Sequence, residues 1–541
     1  MTTSEPISES RHVVVVGGGL AGLAAATALG RRGFRVTLLE SRPRLGGRAS
    51  SFADRESGDA IDNCQHVSMG CCSNFRQFSE QLGFADLFAT QRELTFIGPP
   101  PESRAEPHSV AKVAETFGDS DRRSTSRNSA RVSRRPTSNA DCDLVRFAAA
   151  SLPAPLHLGP NLFRMPWFSL REKLAIALGM RKLARERCEV DRPFADWLSE
   201  NGQSAVVQRR FWHVVLVSAL SESLDRISLR HARKVFVDGF LRNRTGWEVA
   251  VPTVPLDEIY STRVLPALRE LDVDVRVGAG VERVLVSDDK AVGVELRGGE
   301  QLDADHVVLA VPHWRVLALL PDSLTETSDL KRIERLEAAP ISSVHLWYDR
   351  PLTDLPHAAL IDRISQWMFH RSRLGTDRHD NETGSAGAFT RTRESRTLAS
   401  AATEETASSG ISSSYLQVVI SNSRDVLQRG SDELIAAVDA ELRYVWPGEA
   451  KLLRGRLVTE HRAVFSPLPN VDSLRPPQQS PISNLQLAGD WTQTGWPSTM
   501  EGAVRSGYLA AQNILRQHGI DDAVLADDLP TSRLTRWLFP V

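Results

Sequence analysis

The sequence predicts an α/β fold: a parallel sheet wound with helices, and beside it an α+β domain built from the stretches in between. Three observations carry that expectation. The β-branched run "VVVV" at 13–16 leads directly into a glycine-rich turn and an Ala/Leu-rich helix, as a strand buried on both faces of a parallel sheet would. The stretches "VDVRVGAGVERVLVSDDKAVGVELRGGEQLDADHVVLAVP" and "NLQLAGDW" return to short apolar strands far along the chain. At 541 residues the chain is long enough for two or more domains.

The first strand is followed by Gly17, Gly19 and Gly22, spaced G-x-G-x-x-G. In a dinucleotide fold the first glycine permits the tight turn, the second lets backbone approach a pyrophosphate, and the third lets helix pack on strand. A helix is expected from about Leu20 to Arg31, with Leu20 and Ala21 in its first turn. Its N-terminus supplies unpaired N–H groups and partial positive charge for phosphates. Gly33 ends it, and "RVTLLE" makes the second strand. Glu40 closes that strand eighteen residues after Gly22, where an acid accepts hydrogen bonds from a ribose diol and disfavours a 2′-phosphate. Strand, glycines, helix, strand and acid in this order predict a Rossmann-like domain.

Composition excludes several classes of function. The net charge of −2 gives no reason to expect a nucleic-acid partner. Five cysteines without regular spacing read as reduced thiols of a cytoplasmic protein. Adjacent Cys71 and Cys72 cannot easily converge on one ion, and no C-x-x-C pair is present, so no metal site is expected. The polar N-terminus has no signal-peptide core. No run of about 18 apolar residues appears, so no transmembrane helix is expected. Segments 99–140 and 371–414 are rich in Ser, Arg and other small or polar residues. They bury too little to offset ordering entropy and are expected to be disordered insertions.

Between the nucleotide elements, "LREKLAIALGMRKLARER" has Leu170, Leu174, Ala177, Leu178 and Leu183 at helical spacing and predicts an amphipathic helix. The Pro-broken stretch 151–170 carries Phe163, Met165, Trp167 and Phe168. It reads equally as core and as a greasy mouth resting on a bilayer. The C-terminal "RLTRWLFPV" reads as a small amphipathic anchor or a docked tail.

The run "ESRPRLGGRAS" resembles the E-x-R-x-R-x-G-G-R segment of the FAD-dependent amine oxidase and phytoene desaturase superfamily. That resemblance implies a discontinuous, GR2-type FAD-binding domain from 11–90, 245–315 and 480–520, with a substrate domain from 143–244 and 316–479. It implies that Ser41, Arg42, Gly46, Gly47 and Arg48 continue the cofactor wall begun by Glu40. It also implies that Val281 holds the adenine, that Gly489 and Asp490 face the ribityl and pyrophosphate region, and that the Met500 N–H meets the flavin C2 carbonyl. With no cysteine near that last segment, FAD is expected to be non-covalent.

Three segments, "IDNCQHVSMG", "RTGWEVAVPTVPLDEIY" and "LAGDWTQTGWPSTMEGAVRSGYLAA", narrow the likeness. Together they resemble the hydroxysqualene dehydroxylases, squalene-associated flavoenzymes of hopanoid biosynthesis. Cys64 stands where that family has glycine, and Cys72 where it has an aromatic. The implied reaction replaces the hydroxyl of hydroxysqualene, an isoprenoid, with hydrogen. His66, Asp62 and Glu501 are then the ionisable groups expected beside the flavin, His66 as general acid. A carotenoid-type desaturase and a non-catalytic flavin-binding partner of prenyl synthases are the alternatives. With one dinucleotide fingerprint, no NAD(P)H site is expected, and the electron donor stays unidentified. The enzyme is expected in the cytoplasm, with peripheral contact to the inner membrane.

Overall fold

The computed structural model describes residues 11–101, 142–322, 329–374 and 414–539. Five parallel strands form the first sheet, in the order Val273–Val277, Arg35–Glu40, His12–Val16, His306–Leu309 and Leu485–Leu487. Sequence-distant segments therefore pair edge to edge, as the glycine motif and the returning strands required. Side chains alternate across a strand, and both faces are covered. Val13 and Val15 pack with the helices Leu20–Gly30 and Met500–Gln517. Val14 and Val16 pack toward the antiparallel meander Val281–Ser287, Lys290–Leu296 and Gln301–Asp303.

A seven-stranded mixed sheet forms the second layer. Its order is Leu452–Phe465, Ala338–Tyr348, Ser414–Ser421, Trp367–His370, His357–Leu360, Glu93–Ile97 and Leu144–Ala148. Val344, Leu346, Val418 and Ile420 point to one face, against Leu434, Val438, Leu442 and Val445 of the helix Ser431–Val445. Their neighbours in the alternation, among them Ile341 and Val419, point to the opposite face and meet Cys64 and Val251.

Two expectations change here. The second Ser/Arg-rich segment is shorter than its composition suggested. Arg371–Leu374 is a helical turn with Arg371 buried, and Ser414 begins a strand; most of both segments lies outside the described residues. The helix Leu170–Arg185 forms as expected, opened by a capping box between Ser169 and Glu172. It buries Ile176, Gly179, Leu183 and Ala184, whereas Leu170, Leu174 and Leu178 are 64%, 52% and 55% exposed. Of the residues that periodicity placed on one face, Leu183 joins the core. Leu170, Leu174 and Leu178 stay exposed, and Ile176 and Gly179 of the adjoining face are buried instead. Stretch 151–170 divides in the same way: Met165 and Phe168 are buried, and Phe163 is 58% exposed. The C-terminal helix Arg533–Leu538 is docked through Ser532 on the Ala154 carbonyl and Thr535 on the Leu241 carbonyl, with Trp537 77% exposed.

The contact between helices Leu20–Gly30 and Met500–Gln517 depends on Gly507, where an added Cβ would overlap the Ala21 carbonyl oxygen. Gly507→Ala should therefore force the two helices apart and cost about 1–3 kcal/mol. Denaturant unfolding should show the loss, with FAD retention falling in parallel because Ala21 stands at the nucleotide turn.

Candidate functional site

Two cavities lie side by side. The first, about 450 Å³, is bounded by the glycine turn, the Gly46–Gly47 pair and the start of the helix Met500–Gln517. In the sequence the helix Leu20–Gly30 and the strand Arg35–Glu40 separate these glycines, yet the fold brings them together. Gly46 N–H donates to the Gly18 carbonyl at 2.8 Å, and Gly19 bridges Gly46. Gly46 and Gly47 have φ of +95° and +62°, values that favour glycine. The helix Leu20–Gly30 has no side-chain cap at Gly19, so its first N–H groups remain for an acceptor in the cavity.

Glu40 lines this cavity and also holds its wall. Its carboxylate accepts from Gly18 N–H and Arg42 N–H, both at 2.8 Å, and from the Ser41 hydroxyl at 3.2 Å. Val281 lines the far end; Gly489, Asp490 and Met500 line the other. Arg48 and Asp490, expected separately at the cofactor, form an ion pair with each other, and Ser498 donates to the same carboxylate. Burial would raise the Asp490 carboxyl, but Arg48 and Ser498 hold it below the usual carboxylate range. Arg48 also donates to the Ala463 carbonyl at 2.9 Å. Asn63 presents a buried side-chain oxygen without a hydrogen-bond partner at the same cavity. Free helix N–H groups, close glycine backbone, an acid near the turn and an unpartnered amide oxygen fit FAD.

The second cavity encloses about 570 Å³ and is almost wholly apolar, with Met69, Phe96, Phe147, Trp247 and Phe369 among its lining. It reaches the docked C-terminal helix and the exposed helix Leu170–Arg185. Gln65 lines both cavities. Its side-chain oxygen accepts from Arg371 at 3.1 Å, and Arg371 in turn pairs with Asp62 at 3.3 Å. Sequence reasoning missed Gln65 and Arg371. The matched segment did contain Gln65, but Arg371 was read into an insertion.

The three expected ionisable groups fare differently. His66 lines the first cavity, and its Nδ1 lies 3.0 Å from the Cys64 carbonyl. Donation there leaves Nε2 as an acceptor. Burial lowers its pKa, so the ring is held neutral and offers a lone pair rather than an acidic proton. Asp62 does not line either cavity. It is buried and accepts from Ser51 hydroxyl, Leu256 N–H and Arg371. Glu501 is buried beneath the helix Ser73–Gln81, accepting from Asn74 N–H and Phe75 N–H and pairing with Arg505 at 2.7 Å. Both carboxylates are consumed by backbone N–H groups and arginines, so neither is placed to exchange a proton with a ligand. The cysteines of the segment are buried free thiols, and burial pushes the Cys64 thiol up to about 12.

A family model described as flavin containing amine oxidoreductase matches residues 20–515. The chain is 25% identical over 525 residues to the chloroplastic/chromoplastic 15-cis-phytoene desaturase of Arabidopsis thaliana, covering 94% of this chain and 80% of that protein. It is 23% identical over 505 residues to the hydroxysqualene dehydroxylase of Zymomonas mobilis, covering 92% of this chain and 97% of that one. The crystal structure of an oxidoreductase from Methanosarcina mazei superposes with a TM-score of 0.63 at 16% identity, over 93% of this chain and all of that one, a likeness of fold.

Replacing Glu501 separates structural from chemical roles. Glu501→Ala leaves two buried N–H groups without their acceptor and Arg505 paired with Asp528 instead of two carboxylates, and should cost roughly 3–5 kcal/mol in denaturant unfolding. FAD bound per folded chain should stay at the wild-type level. A variant as stable as wild type that had lost turnover would return Glu501 to the catalytic site.

Proposed function

The chain belongs to the flavin-containing amine oxidoreductase family as an FAD-dependent oxidoreductase, and we propose that it acts on a long isoprenoid, removing the hydroxyl of hydroxysqualene reductively. One observation carries the isoprenoid reading: a large apolar cavity meets the cofactor cavity at Gln65, the one residue among those described that lines both. A hydrocarbon has few polar handles, so such a cavity recognises it by area, at roughly 25 cal/mol per Å² of apolar surface removed from water. The three sequence segments and the nearly end-to-end match to the Zymomonas mobilis enzyme support dehydroxylation.

The overall change is R–OH plus two electrons and two protons giving R–H and water. Bound FAD supplies the two-electron chemistry, replenished from an external donor. The chain's own residues do the rest. Met69, Phe147 and Phe369 exclude water and align the polyprene. Gln65, fixed by Arg371, sets how far the reacting carbon advances. His66 Nε2 accepts a hydrogen bond at the cavity wall. A second reading, desaturation of a phytoene-like polyprene, is favoured by the identity to the plant desaturase.

The mouth of the apolar cavity supports contact with a lipid surface, from which such a substrate would enter. Among the described residues no helix is long and apolar enough to cross a membrane. The exposed Leu170–Leu174–Leu178 stripe lies on a helix that also carries Arg171, Lys173, Arg181, Lys182 and Arg185, with Glu172 as its one acid. Apolar side chains flanked by cations suit an anionic interface.

Two measurements test these readings. Photoreduced protein mixed anaerobically with hydroxysqualene should return to the oxidised flavin spectrum and release squalene. Bleaching of the oxidised protein by phytoene instead would select desaturation, and silence with both would remove the isoprenoid reading. In flotation with phosphatidylglycerol vesicles, the triple variant L170S/L174S/L178S should bind at least about tenfold more weakly than wild type, with FAD content unchanged. Equal flotation would dispose of the membrane contact.

A further inference from the structure

Glu460 is an acid at the cofactor cavity that the sequence did not single out. It lies in the strand Leu452–Phe465, opposite Ile341, and Ile341 lies opposite Ser421 on the next strand. Residues directly opposite in neighbouring strands project to the same face. This one row therefore runs from Ser421, on the apolar cavity, through Ile341 to Glu460, both on the cofactor cavity. The adjoining row, Val419, Ser343 and Val458, lies on the same side, with Val419 again lining the apolar cavity. Glu460 thus sits along the path a polyprene would follow past Gln65.

Its electrostatic setting differs from that of the other acids of the cavity. Asp490 is paired with Arg48, and Glu40 is saturated by Gly18, Arg42 and Ser41. Among the described residues no cation lies within ion-pair distance of Glu460; its recorded contact is a 3.3 Å hydrogen bond from Arg462 N–H. The arginines of its own strand are engaged elsewhere: Arg456 with Asp54 at 3.1 Å, and Arg462 over the Trp314 ring at 5.1 Å. Burial is the main cause of the raised Cys64 thiol, and Asp62 and Glu460 add to it, which sets the Glu460 carboxylate within electrostatic reach of the residue preceding Gln65.

We propose that Glu460 supplies a fixed negative charge that stabilises the cationic carbon of the isoprenoid where the two cavities join. The proposal rests on the isoprenoid reading but not on the direction of reaction. In one direction an allylic hydroxyl takes up one of the two protons of the overall change and departs as water. In the other a C–H bond gives up its hydride to a two-electron acceptor, which oxidised FAD would supply. Either way the carbon left behind carries positive charge. A carboxylate fixed beside it, in an apolar site, stabilises that charge without reorganising water.

The test uses the FAD-loaded enzyme and two probes: dimethylfarnesylamine, an ammonium ion at neutral pH, and its neutral carbon isostere. Binding is read as perturbation of the flavin absorption band. Wild type should bind the ammonium at least about tenfold more tightly than the isostere. E460Q should lose that preference while keeping its FAD and its affinity for the isostere; E460D should retain part of it. Turnover of the polyprene by E460Q should fall on the order of 100-fold with KM little changed. An undiminished ammonium preference in E460Q, or equal binding of both probes by wild type, overturns the role of Glu460 alone. If neither probe perturbs the wild-type flavin, the isoprenoid reading is overturned and the proposal with it.

Discussion

The ion pair between Arg48 and Asp490 ties together residues 442 positions apart across the wall of the cofactor cavity. Arg48 follows the glycine pair near the N-terminus; Asp490 follows the last strand of the parallel sheet. Buried neighbours, Leu45 and Ala49 on one side and Leu487, Ala488 and Trp491 on the other, anchor the two segments, and the ion pair fixes them to each other. Breaking such a pair by removing one partner costs roughly 3–5 kcal/mol, because the other charge is left buried. Extra partners offset the desolvation penalty: Ser498 donates to Asp490, and Arg48 reaches the Ala463 carbonyl. Ala463 belongs to the second sheet, so the same arginine also links the two sheets across the cavity.

A second buried pair, Asp62 with Arg371, acts on the other wall. Arg371 donates to Asp62, Gln65 and the Pro252 and Val254 carbonyls. Ser51 and Leu256 add donors to Asp62. With both ions hydrogen-bonded on several sides, the cluster is rigid, and Gln65 inherits that rigidity. The residue shared by the two cavities is thereby held from the side opposite the cofactor.

What the sequence made legible follows from the range over which each constraint acts. Gly17, Gly19 and Gly22 answer to backbone geometry within one turn, so their spacing alone reveals them, and Gly46 and Gly47 do the same. Asp62 and Glu501 were legible as ionisable groups in the right segments but not as structural ones. The N–H groups that occupy Glu501 belong to Asn74 and Phe75, more than 400 residues away, and no local pattern announces them. The stripe Leu170, Leu174 and Leu178 was legible as a shared face, yet periodicity does not say what a face meets. Arg371 was hidden by composition, since it opens a Ser/Arg-rich run and nothing local sets it apart from the other arginines there. Glu460 stands in a strand with three arginines, where its cavity position depends on pairing with Ile341.

These placements leave a division of labour that the chemistry of a hydrocarbon demands. A polyprene repeats, so an apolar cavity binds it without fixing which carbon reacts. That choice needs a stop and a charge. Gln65 is placed as the stop, because it is the wall common to both cavities. His66 is poorly suited to be the charge, since burial keeps its ring neutral. Only below the ordinary histidine range, near pH 6.5, would it gain a proton, and that positive charge would oppose a cation on the substrate. A neutral imidazole and an anionic carboxylate on neighbouring walls are the combination that tolerates positive carbon. On that argument His66 contributes by remaining unprotonated, and the apolar burial that suppresses its basicity is part of how the site works.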